Sequence, residues 1–154
     1  MRVLPMIVLA WASLVLAACG SVPELPSLPQ LGSSDERPPF MPRDEFPHAP
    51  NIARMMDEED CRGATLAAMS ARMPDYPGRA YGQGRQGWVV VRFDVLQTGS
   101  VDNVRIARSV PDGIFDREAR RAVRDWRFRA LETSEPLRNC VVMFEFRAGE
   151  VSVR

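Results

Sequence analysis

The chain has 154 residues, room for one small domain with appendages. Its 20 basic and 20 acidic groups cancel, which leaves no bulk positive field for nucleic acid. Every basic group is Arg, so lysine-based catalysis is excluded, and the one His, His48, falls in a proline-rich stretch that reads as solvated loop.

Residues 1–18 read as a targeting segment. Arg2 supplies a positive start, and residues 3–16 form an apolar run broken only by Pro5 and Ser13. That run is shorter than the ~20 residues a membrane-spanning helix needs. Leu16-Ala17-Ala18-Cys19-Gly20 follows, and small residues directly before a Cys resemble the lipobox of bacterial lipoproteins. The chemistry behind the resemblance is specific: small side chains fit the peptidase, and the Cys19 thiol is the nucleophile that takes the diacylglyceryl group. Gly20, in place of Asp, implies by the same resemblance sorting to the outer membrane rather than retention at the inner one. Cys19 is therefore the expected lipidation site, with an uncleaved anchor or an ordinary secretory signal as alternatives.

Residues 19–50 are expected to form a tether. Prolines stand at 23, 26, 29, 38, 39, 42, 47 and 50, and the apolar residues between them have no period. At ~3.1 Å per residue such a segment reaches on the order of 90 Å. Charge is uneven along the chain: residues 20–60 hold three Arg against nine acids, and residues 61–154 hold sixteen Arg against eleven acids. An acidic tether thus precedes a basic domain, a pairing that favours weak association.

The domain is expected over residues 51–154. Between Asn51 and Met73 a Pro-free stretch carries Leu66, Met69 and Met73 at helical spacing, which predicts a helix with its methionines as core filler. Pro74 and Pro77 end it. Val89, Val91, Phe93 and Val95 then alternate with Val90, Arg92 and Asp94 as a strand. Gln97-Thr98-Gly99-Ser100 supplies a hairpin turn, and a second strand covers residues 101–107. Phe115, Ala119, Ala122, Val123 and Trp126 line one stripe of an amphipathic helix whose first turn holds Asp116 and Glu118. Val142, Phe144 and Phe146 alternate with Val141, Met143 and Glu145 as a third strand. The order predicts an α+β domain: a small antiparallel three-stranded sheet with two helices packed on one face.

Particular residues go further than pattern. Tyr76-Pro77, Ala80, Gly84 and Gly87 before Trp88-Val89-Val90-Val91-Arg92-Phe93, then Gly99 with Val101-Asp102-Asn103-Val104, then Phe115, Arg117-Glu118, Ala122 and Trp126-Arg127-Phe128, resemble in order and spacing the C-terminal domain of the TonB family. The resemblance covers about 75 residues, nearly all of the globular region. The same residues have local reasons: Gly84 and Gly87 suit a turn leading into a strand, and Trp126 and Phe128 close a core. Ala130-Leu131 stand where the family commonly has a proline.

In that family the last strand accepts an extended segment of an outer-membrane receptor by strand addition, in which backbone hydrogen bonds give affinity. The resemblance implies Val141, Val142, Met143, Phe144, Glu145 and Phe146 as the partner-binding strand, its edge open, with Tyr76 and Pro77 close to the partner. The partner is then a periplasmic or outer-membrane protein, and an open edge also leaves room for a homodimer. The lipobox and short tether depart from the family's uncleaved anchor and long spacer. They favour a lipid-anchored periplasmic protein on the outer membrane over a motor-driven transducer of transmembrane transport anchored through residues 1–20.

No catalytic, cofactor or metal constellation accompanies these residues. The only His lies outside the domain, no HExxH or CxxC spacing occurs, and Gly82-x-Gly84-x-x-Gly87 precedes a strand instead of opening a helix. An enzyme is not expected. With Cys19 committed to lipid, Cys61 and Cys140 remain, and an oxidising periplasm is expected to join them, two separate buried thiols being the alternative.

Overall fold

A computed structural model describes residues 37–57, 60, 61 and 66–154. Cys19, the targeting segment and the first part of the expected tether lie outside the described residues. Pro38–Arg154 form one compact unit.

The elements run β1 (Ala68–Ser70), α1 (Gly78–Gly82), β2 (Gly87–Val95), β3 (Val101–Val110), α2 (Asp116–Arg124), β4 (Arg127–Phe128), β5 (Leu137–Arg147) and β6 (Glu150–Val153). This is the expected α+β class, with more strands than expected. The main sheet has four antiparallel strands in the order β3-β2-β5-β6, and β1 pairs with β4 in a second small sheet.

Alternation along β2 and β5 sends side chains to two separate cores. Val89, Val91, Phe93, Val95, Val142, Phe144 and Phe146 point to the helix side, where Phe115, Ala119 and Val123 of α2 meet Trp126 and Phe128. Trp88, Val90 and Met143 point the other way. The sheet was expected to be covered on one face, but this second face is covered too, by a strap of residues 43–57.

The strap shows how a proline-rich segment without periodicity can still be structure. Extended backbone makes no internal hydrogen bonds, so its carbonyls remain available to the sheet. Gln86 donates to the Asp44 carbonyl at 2.9 Å, Trp88 Nε1 to the His48 carbonyl at 3.0 Å, and Arg92 Nη2 to the Met55 carbonyl. Phe46, Ala49, Ile52 and Met55 fill the space over Trp88 and Met143. Upstream, Arg43 N–H donates to the Gly84 carbonyl at 2.9 Å. Gly84 has φ +64°, and a Cβ there would lie 1.9 Å from the Met41 carbonyl oxygen, so only glycine lets the strap pass. Residues 38–50, expected as tether, therefore lie against the domain in the structure.

The helix expected between Asn51 and Met73 is not formed in the described residues. A single 3-10 turn, Ile52–Arg54, is capped by Asn51 Oδ1, and β1 and an extended run to Pro77 follow. Met69 and Met73 are 74% and 46% exposed, so their helical spacing faces no core. Tertiary contacts override the local preference: Ala68 and Ser70 pair with Phe128 and Arg127, Arg129 N–H donates to the Ala67 carbonyl, and Trp126 Nε1 donates to the Arg72 carbonyl. The second helix is α1 instead, which starts directly after Pro77, its N-cap in extended conformation with φ −60° and ψ 125°.

Candidate functional site

β5 is an interior strand. The expected open edge along residues 141–147 is occupied by β6, which pairs Phe144, Glu145, Phe146 and Arg147 with Val153, Ser152, Val151 and Glu150. Met143 and Arg154 exchange both backbone hydrogen bonds, at 2.9 and 3.1 Å. The hairpin turns through Ala148 and Gly149 with φ +52° and +83°, the geometry of a two-residue turn that matches strand twist. A signal for β6 was present in the sequence: Ala148-Gly149 followed by Glu150-Val151-Ser152-Val153, an alternation too short to stand out.

β6 covers only one half of β5. At the other end Cys61 N–H donates to the Arg138 carbonyl at 2.8 Å. Val141 lies between those two contacts, and among the described residues no strand pairs with β5 on that side. A hollow of about 460 Å³, lined by His48–Ala53 of the strap, Met143 and Arg154, opens at the Met143 end of this stretch.

The side chains of residues 142–146 in β5 are not displayed to a partner. Val142, Phe144 and Phe146 are core residues, Met143 is 1% exposed and Glu145 5% exposed. Glu145 is held by Arg154 from the strand outside it, Nε to Oε1 at 3.3 Å. The strand therefore offers its neighbour backbone groups and one buried carboxylate.

Tyr76 is also a core residue, which removes it from a partner-facing surface. It is 7% exposed and its ring meets Phe40, Tyr81, Phe115 and Phe146 edge-on, with centroids 5.6–5.7 Å away. Its hydroxyl donates to the Arg85 carbonyl at 2.5 Å. Burial, with Tyr81 alongside, pushes the phenol up to about 12, so it stays a neutral donor. Pro77 is half-exposed at the start of α1 and is the one of the pair that reaches the surface.

Cys61 and Cys140 are joined by a disulfide that ties the end of the strap region to β5. Next to it Asp60 pairs with Arg92, Oδ2 to Nη1 at 2.7 Å. The Asp57 N–H donates to the same oxygen at 2.9 Å, and this bond, helped by Arg92, holds the Asp60 carboxyl below the usual range against the opposing effect of its burial. Asp94, also buried, accepts from Asn103 Nδ2 and from the Asn139 N–H, stitching β2 to both neighbours. These carboxylates are engaged in structure. No group of His, Cys, Asp and Glu among the described residues is arranged to hold a metal ion.

A family profile described as the Gram-negative bacterial TonB protein C-terminal matches residues 72–147. Protein TonB of Yersinia enterocolitica is 40% identical over 68 residues, 44% of this chain and 27% of that one. Protein TonB of Escherichia coli is 40% identical over 80 residues, 52% of this chain and 32% of that one. This chain thus spans about a third of the length of the curated relatives it matches. The solution NMR structure of the Pseudomonas aeruginosa TonB CTD superposes with a TM-score of 0.50 at 30% identity, over 58% of this chain and 92% of that one. The strap and β6 both fall outside the matched residues 72–147.

Proposed function

The chain belongs to the family of TonB C-terminal domains through residues 72–147, and from that premise we propose that it is a non-catalytic envelope lipoprotein, lipidated at Cys19. It presents the domain to an outer-membrane or periplasmic protein that binds by strand addition. The observation that carries this reading is the seat of β6. A four-residue, mostly exposed strand holds part of the outer side of an eleven-residue interior strand, and among the described residues no strand pairs with Val141 on that side. An extended partner segment that takes the place of β6 gains a longer run of backbone hydrogen bonds than β6 makes. This shifts the binding position from a ready edge to one that opens when β6 leaves, and it assigns partner contact to the backbone of residues 141–147 and to Pro77.

The test is to titrate the full chain with extended receptor-derived peptides and follow backbone amides. Shifts at Val141, Met143 and Glu145, together with faster hydrogen exchange at Ser152 and Arg154, are the expected outcome. Binding that leaves β6 protected, or shifts spread evenly over the domain, rejects the site.

A second reading is favoured by the 40% identity to TonB proteins: an energy transducer for transport through outer-membrane receptors, with residues 1–20 retained as an inner-membrane anchor. Intact mass of the membrane-extracted protein separates the two. A chain beginning at Cys19 with added acyl mass supports the lipoprotein, and a chain beginning at Met1 in the inner membrane supports the transducer.

A further inference from the structure

Glu145 poses a problem that strand exchange would have to solve. It lies on the second face of the sheet, opposite Trp88 on β2 and Ser152 on β6. Its side chain keeps 7% of its accessible surface, and its one ion pair among the described residues is made by Arg154. Two other cations of that face make ring contacts. Arg147 lies over the Phe46 ring at 5.1 Å, and Arg108 lies over the Trp88 ring at 5.8 Å. When β6 leaves, Arg154 leaves with it. When another strand seats, the carboxylate is buried again, now dependent on what that strand carries.

β6 itself shows what the position accepts. Val151 and Val153 face Phe146 and Phe144 toward the helix side, while Glu150, Ser152 and Arg154 lie on the face of Arg147, Glu145 and Met143. We propose that Glu145 selects the partner segment: the strand that replaces β6 carries an Arg or Lys where Arg154 stands, two residues beyond the one facing Glu145, with β-branched apolar residues at the alternate positions. This rests on the strand-addition reading and adds to it a chemical class of ligand, an extended segment with one cation in fixed register. Neutral or acidic residues there leave a buried carboxylate unpaired, and such a loss is felt in the dissociation rate.

The experiment uses the full chain and two synthetic hexapeptides, Gly-Glu-Val-Ser-Val-Arg and the same peptide ending in Glu, with amide shifts read along residues 141–147. The basic peptide is expected to bind on the order of tenfold tighter, and in Glu145→Gln the two peptides bind alike. Arg154→Gln, which leaves Glu145 in place and frees it from its cis partner, strengthens binding of the basic peptide alone. It serves as the readout should Glu145→Gln fold poorly. Equal affinity of both peptides for the wild-type chain, with shifts along β5, overturns the selection by Glu145 and leaves strand addition standing. Absence of shifts along β5 with either peptide overturns both.

Discussion

The two faces of the sheet are covered by different physical means. On the helix side, rings interlock: Phe115 stacks on Phe146 with centroids 4.3 Å apart, and Trp126 meets Phe93, Phe128 and Phe144 edge-on. On the strap side the buried apolar residues of the sheet, among the described residues, are Trp88, Val90 and Met143. The cover there is fastened by hydrogen bonds to extended backbone, by the Asp60–Arg92 pair and by the disulfide. The first cover is a hydrophobic core in which each side chain supports its neighbours. The second is a set of separate fastenings that can be undone one at a time. Residues 20–60 are the acidic stretch of the chain and residues 61–154 the basic one, and two ion pairs join them, Asp60–Arg92 at 2.7 Å and Asp44–Arg85 at 3.5 Å.

The contrast breaks most sharply where the helix side is cut. Phe146→Ala removes a fully buried ring from the stack with Phe115. It is expected to lower stability by about 3–5 kcal/mol in urea unfolding. A change within 1 kcal/mol would mean the two sides do not differ as described.

Opening the disulfide removes a constraint on a stretch 79 residues long, with an expected loss of about 4 kcal/mol in the chain-entropy account. Comparing Cys61→Ser with the parent, with and without reductant, checks it. An unchanged thermal midpoint that also ignores reductant rejects a bridge in solution.

Gly84→Ala acts where the chain enters the strap, at Met41 and Arg43. The new methyl meets the Met41 carbonyl at a left-handed backbone position, so about 1–3 kcal/mol of strain is expected. Hydrogen exchange should rise around Trp88 while α2 stays protected. Equal loosening of both sides would show that the covers are one cooperative unit.

The smallest effect is the pH response of Asp60. Its folded-state pKa is depressed, so the unfolded chain binds the proton more readily. The contribution is therefore present above the unfolded value near 3.8 and is lost as pH falls through the lower folded value. Asp60→Asn should flatten the part of the acid-unfolding curve below about pH 4, and an unaltered curve there would remove Asp60 from the fastening. At the other extreme Tyr76, raised to about 12, favours the folded state below the ordinary phenol value and ceases to do so as pH climbs through 12.

Legibility in the sequence followed range. Val89, Val91, Phe93 and Val95 announce a strand because each neighbouring pair already shows the period of two, and Phe115, Ala119, Val123 and Trp126 announce a helix in the same way. The α+β class followed from those elements. The candidate site was harder to see, because its parts are defined by pairing. β5 reads identically whether it is an edge or an interior strand, and only the register with β6 separates the two.

Taken alone, the sequence determined the identity of β2, β3, α2 and β5, the acidic and basic halves, and the motif residues that mark the family, all of them local properties. Tertiary structure decided the rest. It turned Tyr76 inward among four other rings and drew residues 66–73 straight against β4. It also laid a proline-rich segment over Trp88 and placed a cation from β6 beside Glu145. The reason is common to all four: extended backbone has no internal hydrogen bonds and no helical stripe, so what it does is settled by the surface it lies on.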